Sequence, residues 1–281
     1  MRFGLYMPNF GKSADPKNFV HAVVEAEKAG WDGVFLWDHL LEWDRPVLAF
    51  DSFSLLAAAT QITNKIHLGT AVTPLPKIKP WLAAKQLATL DHLSNGRMIL
   101  GVGLGGKESV DYARFGEPEE NRVLGERLDE ALDIITGLWS GKAFAYQGKH
   151  YRISKPTRLL PTPIQRPRIP IWCGGILPAH RPFIRAAKWD GVIPLGTLSS
   201  GNPGVPTTKD VGTVKNIIDE HRKSQQPFEY AIIRFTSTPR ATRRKLEEIR
   251  QTAATWWLES LFTKKDNPHK MIQFVEKGPP N

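Results

Sequence analysis

RMILGVGLGG, residues 97–106, decides between two folds. Its tail formally satisfies G-x-G-x-x-G through Gly101, Gly103 and Gly106. In a dinucleotide-binding sheet that fingerprint opens a helix at once, and an acid ends the next strand about 20 residues on. Here the residue at that distance is Glu126, inside the amphipathic run NRVLGERLDEALDIITGLW (121–139), which reads as a long helix. The stretch is therefore one buried strand of a longer series, and its glycines leave room for a flat ligand against the backbone.

The rest of the chain repeats the same alternation. Strands are predicted over 2–8, 32–37, 65–74, 97–105, 168–175, 190–196, 228–236 and 254–261. Helices are predicted over 15–30, 51–63, 80–96, 121–139, 178–189, 211–224, 240–253 and 267–277. Asp51 or Ser52 caps the second helix, and Gly30 and Asn95-Gly96 stop the first and third. FAYQGKHYRI (144–153) reads as a small hairpin inserted after the fourth unit, and TLSSGNPGVPTTKD (197–210) as a mobile loop. Strands joined by long crossovers pair in parallel, and eight such units fit a (β/α)8 TIM barrel in one domain spanning 1–281.

Composition narrows the partners. The chain has 281 residues, 38 Lys+Arg against 28 Asp+Glu, and one cysteine. The positive balance is dispersed; RATRRK (240–245) is its densest cluster and reads as a solvated helix face. There is no zinc-finger spacing or RNA-binding aromatic motif, so nucleic acid is not expected as a partner. No run approaches the ~20 apolar residues of a membrane span, and the lone cysteine fits a reducing cytoplasm. A small-molecule substrate is the expected partner, with a homodimer as the commonest assembly.

In a barrel, chemistry gathers at the strand C-termini. LWDHLLEW (36–43) puts Asp38 and His39 at such an end, with Trp43 four residues past the histidine. An imidazole there can donate to a ring carbonyl or move a proton near neutral pH, although a core histidine held by one hydrogen bond reads the same. CGGILPAHRPF (173–183) ends a strand in two glycines before a helix, an arrangement that binds an anion, with Arg181 adding charge, or that makes only a flexible turn. The other seven histidines are scattered, and no metal site is expected.

At these residues the chain resembles the bacterial-luciferase-like flavin and deazaflavin oxidoreductases. The carriers are LWDHLLEW, KIHLGTAVTPLP, LSNGRMILGVGLGG, ERLDEALDIITGLW, IPIWCGG, RAAKWDGVIPLG and TWWLESL with KGPP, spread over nearly the whole length. The resemblance implies a barrel that binds reduced FMN or coenzyme F420, and the Asp38-His39 pair leans toward F420. It implies a non-prolyl cis peptide at Ala71–Val72. Together with the strand-end positions and the anion arrangement read above, it gives candidate cofactor contacts at Asp38, His39, Thr70, Ala71, Val72, Gly103, Cys173, Gly174, Gly175, Ile176 and Arg181. The candidate catalytic set is His39, Trp43 and Glu108. The family's sugar-phosphate dehydrogenases place an acid where Gly106 stands here, with Glu108 two residues later, so the resemblance stops short of sugar oxidation. The function expected is a hydride transfer to a small organic substrate, or its oxygenation. A flavin-binding barrel without turnover and a phosphate-binding isomerase or lyase stay open beside it.

Overall fold

Alternating side chains along short buried strands give each strand one face toward the barrel axis and one toward the helices. The computed structural model describes residues 1–41, 46–105, 112, 114–198, 200, 203–236 and 239–280. Among these, eight parallel strands close a barrel: β1 (Arg2–Met7), β2 (Gly33–Leu36), β3 (His67–Thr70), β4 (Met98–Gly103), β5 (Ile171–Ile176), β6 (Gly191–Thr197), β7 (Glu229–Arg234) and β8 (Trp256–Ser260). Each pairs with its neighbour in the chain, and β8 returns to β1 with Arg2 beside Trp256. The helices between them are α1 (Pro16–Lys28), α2 (Ser52–Thr60), α3 (Pro80–Leu93), α4 (Asn121–Trp139), α5 (Arg181–Ala186), α6 (Thr208–His221), α7 (Pro239–Arg250) and α8 (Pro268–Val275). The barrel and its excursion thus follow the sequence reading, with Phe144–Gln147 and Arg152–Thr157 forming the antiparallel hairpin.

Two hydrophobic layers result. The outer one joins the strands to the helices through residues such as Leu5, Val34, Leu68, Leu100, Cys173 and Trp257. The inner one is aromatic: Phe35 stacks on Trp172 at 5.2 Å, and Trp256 meets both edge-on at 5.4 and 5.6 Å. Rings of this size fit because glycines face them. A Cβ on Gly33 would stand 2.8 Å from Phe35 and 3.0 Å from Trp256, and one on Gly4 would stand 2.9 Å from Phe35. Below this plug Arg2 lies 4.6 Å over the Trp256 ring and pairs with Glu229. Under the floor, Arg97 donates to the carbonyls of Thr60, Thr63, Ile66 and Ser94, while the Glu27 carboxylate accepts from the N–H groups of Asn64, Lys65 and Ile66. The turn before β3 is fixed from both sides.

Four elements depart most from the sequence reading, β3 among them, which was expected as one strand over 65–74. Helix α6 begins at Thr208, three residues earlier than expected at 211, because Thr207 and Asp210 form a capping box: Asp210 N–H donates to Thr207 Oγ1 at 3.1 Å and Thr207 N–H to Asp210 Oδ2 at 2.7 Å. The segment before it, expected as a mobile loop, includes Pro203–Gly204 paired antiparallel to Gly196–Thr197. Helix α5 is shorter than 178–189, because after Ala186 the chain tightens into i→i+3 bonds, Lys188 to Arg185 and Trp189 to Ala186.

Strand β3 breaks after Thr70 and resumes as Thr73–Pro74 beside Val102–Gly103 of β4. The Ala71–Val72 peptide between them is cis, as the resemblance implied. Gly101 makes this detour fit: a Cβ there would fall on the Thr70 carbonyl. Since that oxygen is backbone and cannot swing aside, Gly101→Ala is expected to lower stability by about 1–3 kcal/mol in urea unfolding. An unchanged midpoint would show that the detour adapts at no cost.

Candidate functional site

The open end of the barrel lies where β1 to β8 finish. The inward positions there are Tyr6, Trp37, Val72, Leu195, Ile233 and Ser260, above the aromatic plug. Val72 stands over two bare stretches of backbone. A Cβ on Gly103 would sit 2.7 Å from Val72 Cγ2, and one on Gly174 3.0 Å from Val72 Cγ1. The isopropyl group is therefore seated between β4 and β5, a low apolar shelf with no side chain on either flank.

On the far side stands His39. Its main chain is held from β1 by Asn9, which is fully buried: Asn9 Nδ2 donates to the His39 carbonyl at 2.7 Å, and His39 N–H donates to Asn9 Oδ1 at 3.1 Å. Asn9 also donates to the Phe50 carbonyl at 2.8 Å. The imidazole packs against aromatic faces, 5.9 Å from Phe10 and 5.7 Å from Trp37. Trp37 in turn lies flat on Phe262 at 5.4 Å and 5° and leans on Tyr6 at 5.1 Å. Burial raises the Tyr6 phenol above its ordinary pKa, so it is a neutral hydroxyl at physiological pH.

Asp38 has a partner that sequence did not indicate. Lys77 Nζ donates to the Asp38 carbonyl at 2.8 Å and stands 3.9 Å from its carboxylate, with only 14% and 12% of the two side chains exposed. Lys77 ends the short turn Leu75–Lys77 that follows the β3 detour, so this pair ties the end of β2 to the shelf.

The remaining candidates divide. Gly103, Gly174, Val72 and the inward-facing Ile176 line the mouth. Thr70 does not: it faces outward like Leu68, and its hydroxyl donates to the Gly101 carbonyl at 2.8 Å. Cys173 also faces the helices and is 1% exposed, so only its backbone can reach a ligand. At Gly175 the bare Cα admits α5, a Cβ there falling 2.7 Å from Phe183 and Pro182. Arg181 is exposed on the first turn of α5, where Pro182 removes one of the free N–H donors. Trp43 and Glu108 lie outside the described residues. Asn9, Lys77, Tyr6 and Phe262 were missed by sequence reasoning. Asn9 had one signal, a polar residue directly after the buried strand RFGLYMP; Lys77 had none.

Farther out, Glu259 on the outer face of β8 accepts from Thr236 N–H and Oγ1, both at 2.8 Å, and from Trp257 Nε1 at 3.0 Å. Burial raises its carboxyl pKa, and burial lowers that of Arg234 beside it to about 10.

Comparison with known proteins follows this geometry. Residues 1–269 match the family profile described as luciferase-like monooxygenase. An F420-dependent glucose-6-phosphate dehydrogenase of Nakamurella multipartita is 35% identical over 170 residues, 58% of this chain and 48% of that protein. The matched region thus spans about half the length of that relative. Two solved structures share the fold. One is an F420-dependent secondary alcohol dehydrogenase in complex with an F420-acetone adduct, with TM-score 0.76, 16% identity and 92% of each chain covered. The other is the coenzyme F420 dependent tetrahydromethanopterin reductase from Methanopyrus kandleri, with TM-score 0.75, 18% identity and 98% and 97% covered.

The lone thiol gives a test of the packing beneath the mouth. Burial pushes the Cys173 pKa from 9.0 up to about 12. The neutral thiol is favoured in the folded chain, so its stabilising contribution is complete below pH 9 and is lost as pH rises toward about 12. The folded protein is expected to resist a thiol reagent at pH 8, and Cys173→Ala is expected to flatten the alkaline fall in stability. Stoichiometric labelling of native protein at pH 8 would contradict this placement.

Proposed function

Because the chain belongs to the luciferase-like monooxygenase family, we propose that it is an oxidoreductase that binds coenzyme F420, or FMN, across the open end of the barrel and acts on a small organic substrate. The observation that carries the reading is the shelf: the missing side chains of Gly103 and Gly174 let the Val72 methyl groups lie low against the backbone, which gives a flat apolar face for a planar ring. The residues fit such a ring. Val72 backs it, Ala71, Thr70 and Cys173 contribute main chain, and Asp38, fixed by Lys77, meets its polar edge. Gly174, Gly175, Ile176 and Arg181 stand toward the phosphate-bearing tail. When bound, the cofactor supplies the hydride donor or acceptor.

The chain's own part is to bind, orient and move a proton. His39 is the group for the last task, since Asn9 pins its main chain and Phe10 and Trp37 flank its ring at the mouth. Tyr6, kept neutral, offers a second donor at the mouth. Trp37 and Phe10 shield the imidazole from water. Trp43 and Glu108 complete the proposed catalytic set. F420 is favoured over FMN by the Asp38-His39 pair and by the F420-dependent names of the similar proteins.

Titration of the purified protein with F420 and FMN in both redox states tests the reading. F420 is expected to bind with a Kd in the micromolar range, about −8 kcal/mol. Failure of both cofactors to bind below about 1 mM would sink it. His39→Asn is expected to keep cofactor affinity and lose about 10²–10⁴ in turnover. Weakened binding with turnover at saturation preserved would make His39 a positioning group instead. Arg181→Ala is expected to weaken cofactor binding most at low salt, where screening is least; unchanged affinity there removes Arg181 from the site.

A further inference from the structure

We propose that the end of the barrel opposite the mouth carries a docking groove for an acidic, leucine-bearing segment of a partner protein, built by the connections that enter β4 and β5. The inference is independent of the cofactor reading above.

Charge distribution points there first. Lysine and arginine are spread along the whole chain, but the acids are not. Between Asp133 and Asp190 there is no aspartate or glutamate. Ten of the 38 lysines and arginines fall in that interval, from Lys142 to Lys188, so the rest of the chain is balanced at 28 against 28 acids. One segment thus carries the whole net charge of +10. Some of its cations are neutralised nearby: Lys149 by Glu126, Arg168 by Asp190 and Arg185 by Asp129. Lys142, Lys155, Arg158 and Arg166 are exposed and, among the described residues, have no carboxylate partner. Arg158 donates to the Gly141 carbonyl, and Arg166 to the carbonyls of Pro163 and Gln165, so their charge stays uncompensated.

These cations adjoin an apolar groove. Its volume is about 610 Å³, and His92, Leu160, Thr162, Ile164 and Arg166 line it. A Cβ on Gly141 would stand 2.8 Å from Thr162 Cγ2, which brings Lys142 and Arg158 to the same rim. Lys155 lies in the hairpin bulge that leads into it. Leu160 is 60% exposed and Ile164 37%, yet the segment carrying them is fixed. Asp91, fully buried, accepts from the N–H groups of Ile164 and Gln165 at 2.7 and 3.0 Å and from Gln165 Nε2 at 2.6 Å. Gln165 Nε2 also donates to the Met98 carbonyl at 2.9 Å, and His92 Nε2 to that of Thr162 at 2.8 Å. A preformed groove loses little entropy when it is filled. Chemistry in a barrel sits at the other end, so exposed leucine and isoleucine here mark an interaction surface.

Charge complementarity selects the occupant. A second copy of this face would meet it with like charge and be repelled. Cations alone would hold any polyanion weakly, and salt would release it. The apolar seat adds a requirement for side chains that bury leucine and isoleucine, which a nucleic acid backbone does not offer. A flat bilayer would reach the crest at Leu160 and leave the groove behind it unfilled. A segment with leucines set between carboxylates meets both demands.

The test is fluorescence anisotropy of two fluorescein-labelled peptides, DDLDDLDD and DDSDDSDD, titrated with the full chain. At about 50 mM salt the leucine peptide is expected to bind with a Kd of about 100 µM, weakening about tenfold at about 300 mM. The serine peptide is expected to bind about tenfold more weakly than the leucine peptide. Leu160→Ser is expected to reproduce that loss for the leucine peptide, and Lys155→Glu combined with Arg166→Glu to weaken it about tenfold. All three positions are exposed, and both variants are expected to melt at the temperature of the parent. No binding of the leucine peptide below about 1 mM, equal binding of the two peptides, or indifference to both variants overturns the proposal. So does tighter binding of phosphatidylserine vesicles or of a DNA duplex that the same variants abolish. A dimer in sedimentation velocity that Leu160→Ser dissolves would make the face a self-interface and overturn it as well.

Discussion

The packing of three large rings on the barrel axis governs the rest of the structure. Phe35, Trp172 and Trp256 fill the interior at mid-height and are held in contact by glycines at Gly4 and Gly33. A barrel of eight strands is just wide enough for side chains to fill it. When rings of this size occupy the middle layer, what remains open is the shallow space above them. The floor of the candidate site is thus the top of a packed core, at near-crystalline density, and cannot yield to a ligand. Recognition has to come from the strand ends and the loops they carry.

That constraint explains why the β3 detour matters. Continuing β3 as a regular strand would have placed one more side chain over the plug. Instead the chain turns at Ala71–Val72 and rejoins β4, which sets Val72 across the mouth between Gly103 and Gly174. The detour also delivers Lys77 to Asp38. A single local change of path thereby supplies both the shelf and the cation that fixes the neighbouring strand end. Half-buried charge pairs are sensitive to the loss of one partner, because the other is then left in a poorly solvated place. Asp38 is better understood as half of this pair than as half of an Asp-His unit, which is how its position in LWDH first presents it.

Much of the barrel was legible because each strand is short, apolar and followed by an amphipathic helix, signals that are local. The helix 121–139 is read to the residue. The start of α6 was lost because its Thr207–Asp210 capping box is embedded in a segment whose glycines and prolines read as loop. In the site, alternation was the missing information. Sequence placed Thr70 and Cys173 at strand ends; Thr70 does end β3, but Cys173 lies in the middle of β5, and the pleat turns both side chains to the helices. The partnership of Asn9 with His39 spans 30 residues, and that of Lys77 with Asp38 spans 39. Contacts of that range depend on how β1, β2 and β3 lie side by side, and no pattern within either segment encodes them.

The two walls of the mouth are built differently, and this bears on how such a site works. On one side the ends of β1, β2 and β8 are cross-linked. Asn9 holds His39, Phe10 and Phe262 pack about Trp37, and Ser13 bonds to the carbonyls of Lys264 and Lys265. Asn9 fixes the backbone of His39, and Phe10 and Trp37 pack on its ring, so the imidazole has its position set from three directions. The proposed proton-moving group, His39, therefore sits on the stiffer wall. The other wall, from β5 to β7, presents Ile176 and Phe235, apolar side chains whose contacts are non-directional. Apolar side chains there can be exchanged for others of similar volume without disturbing a hydrogen bond, whereas a change at Asn9 leaves buried carbonyl and N–H groups unpaired. Substrate preference can thus vary along β5 to β7 while the geometry around His39 stays fixed.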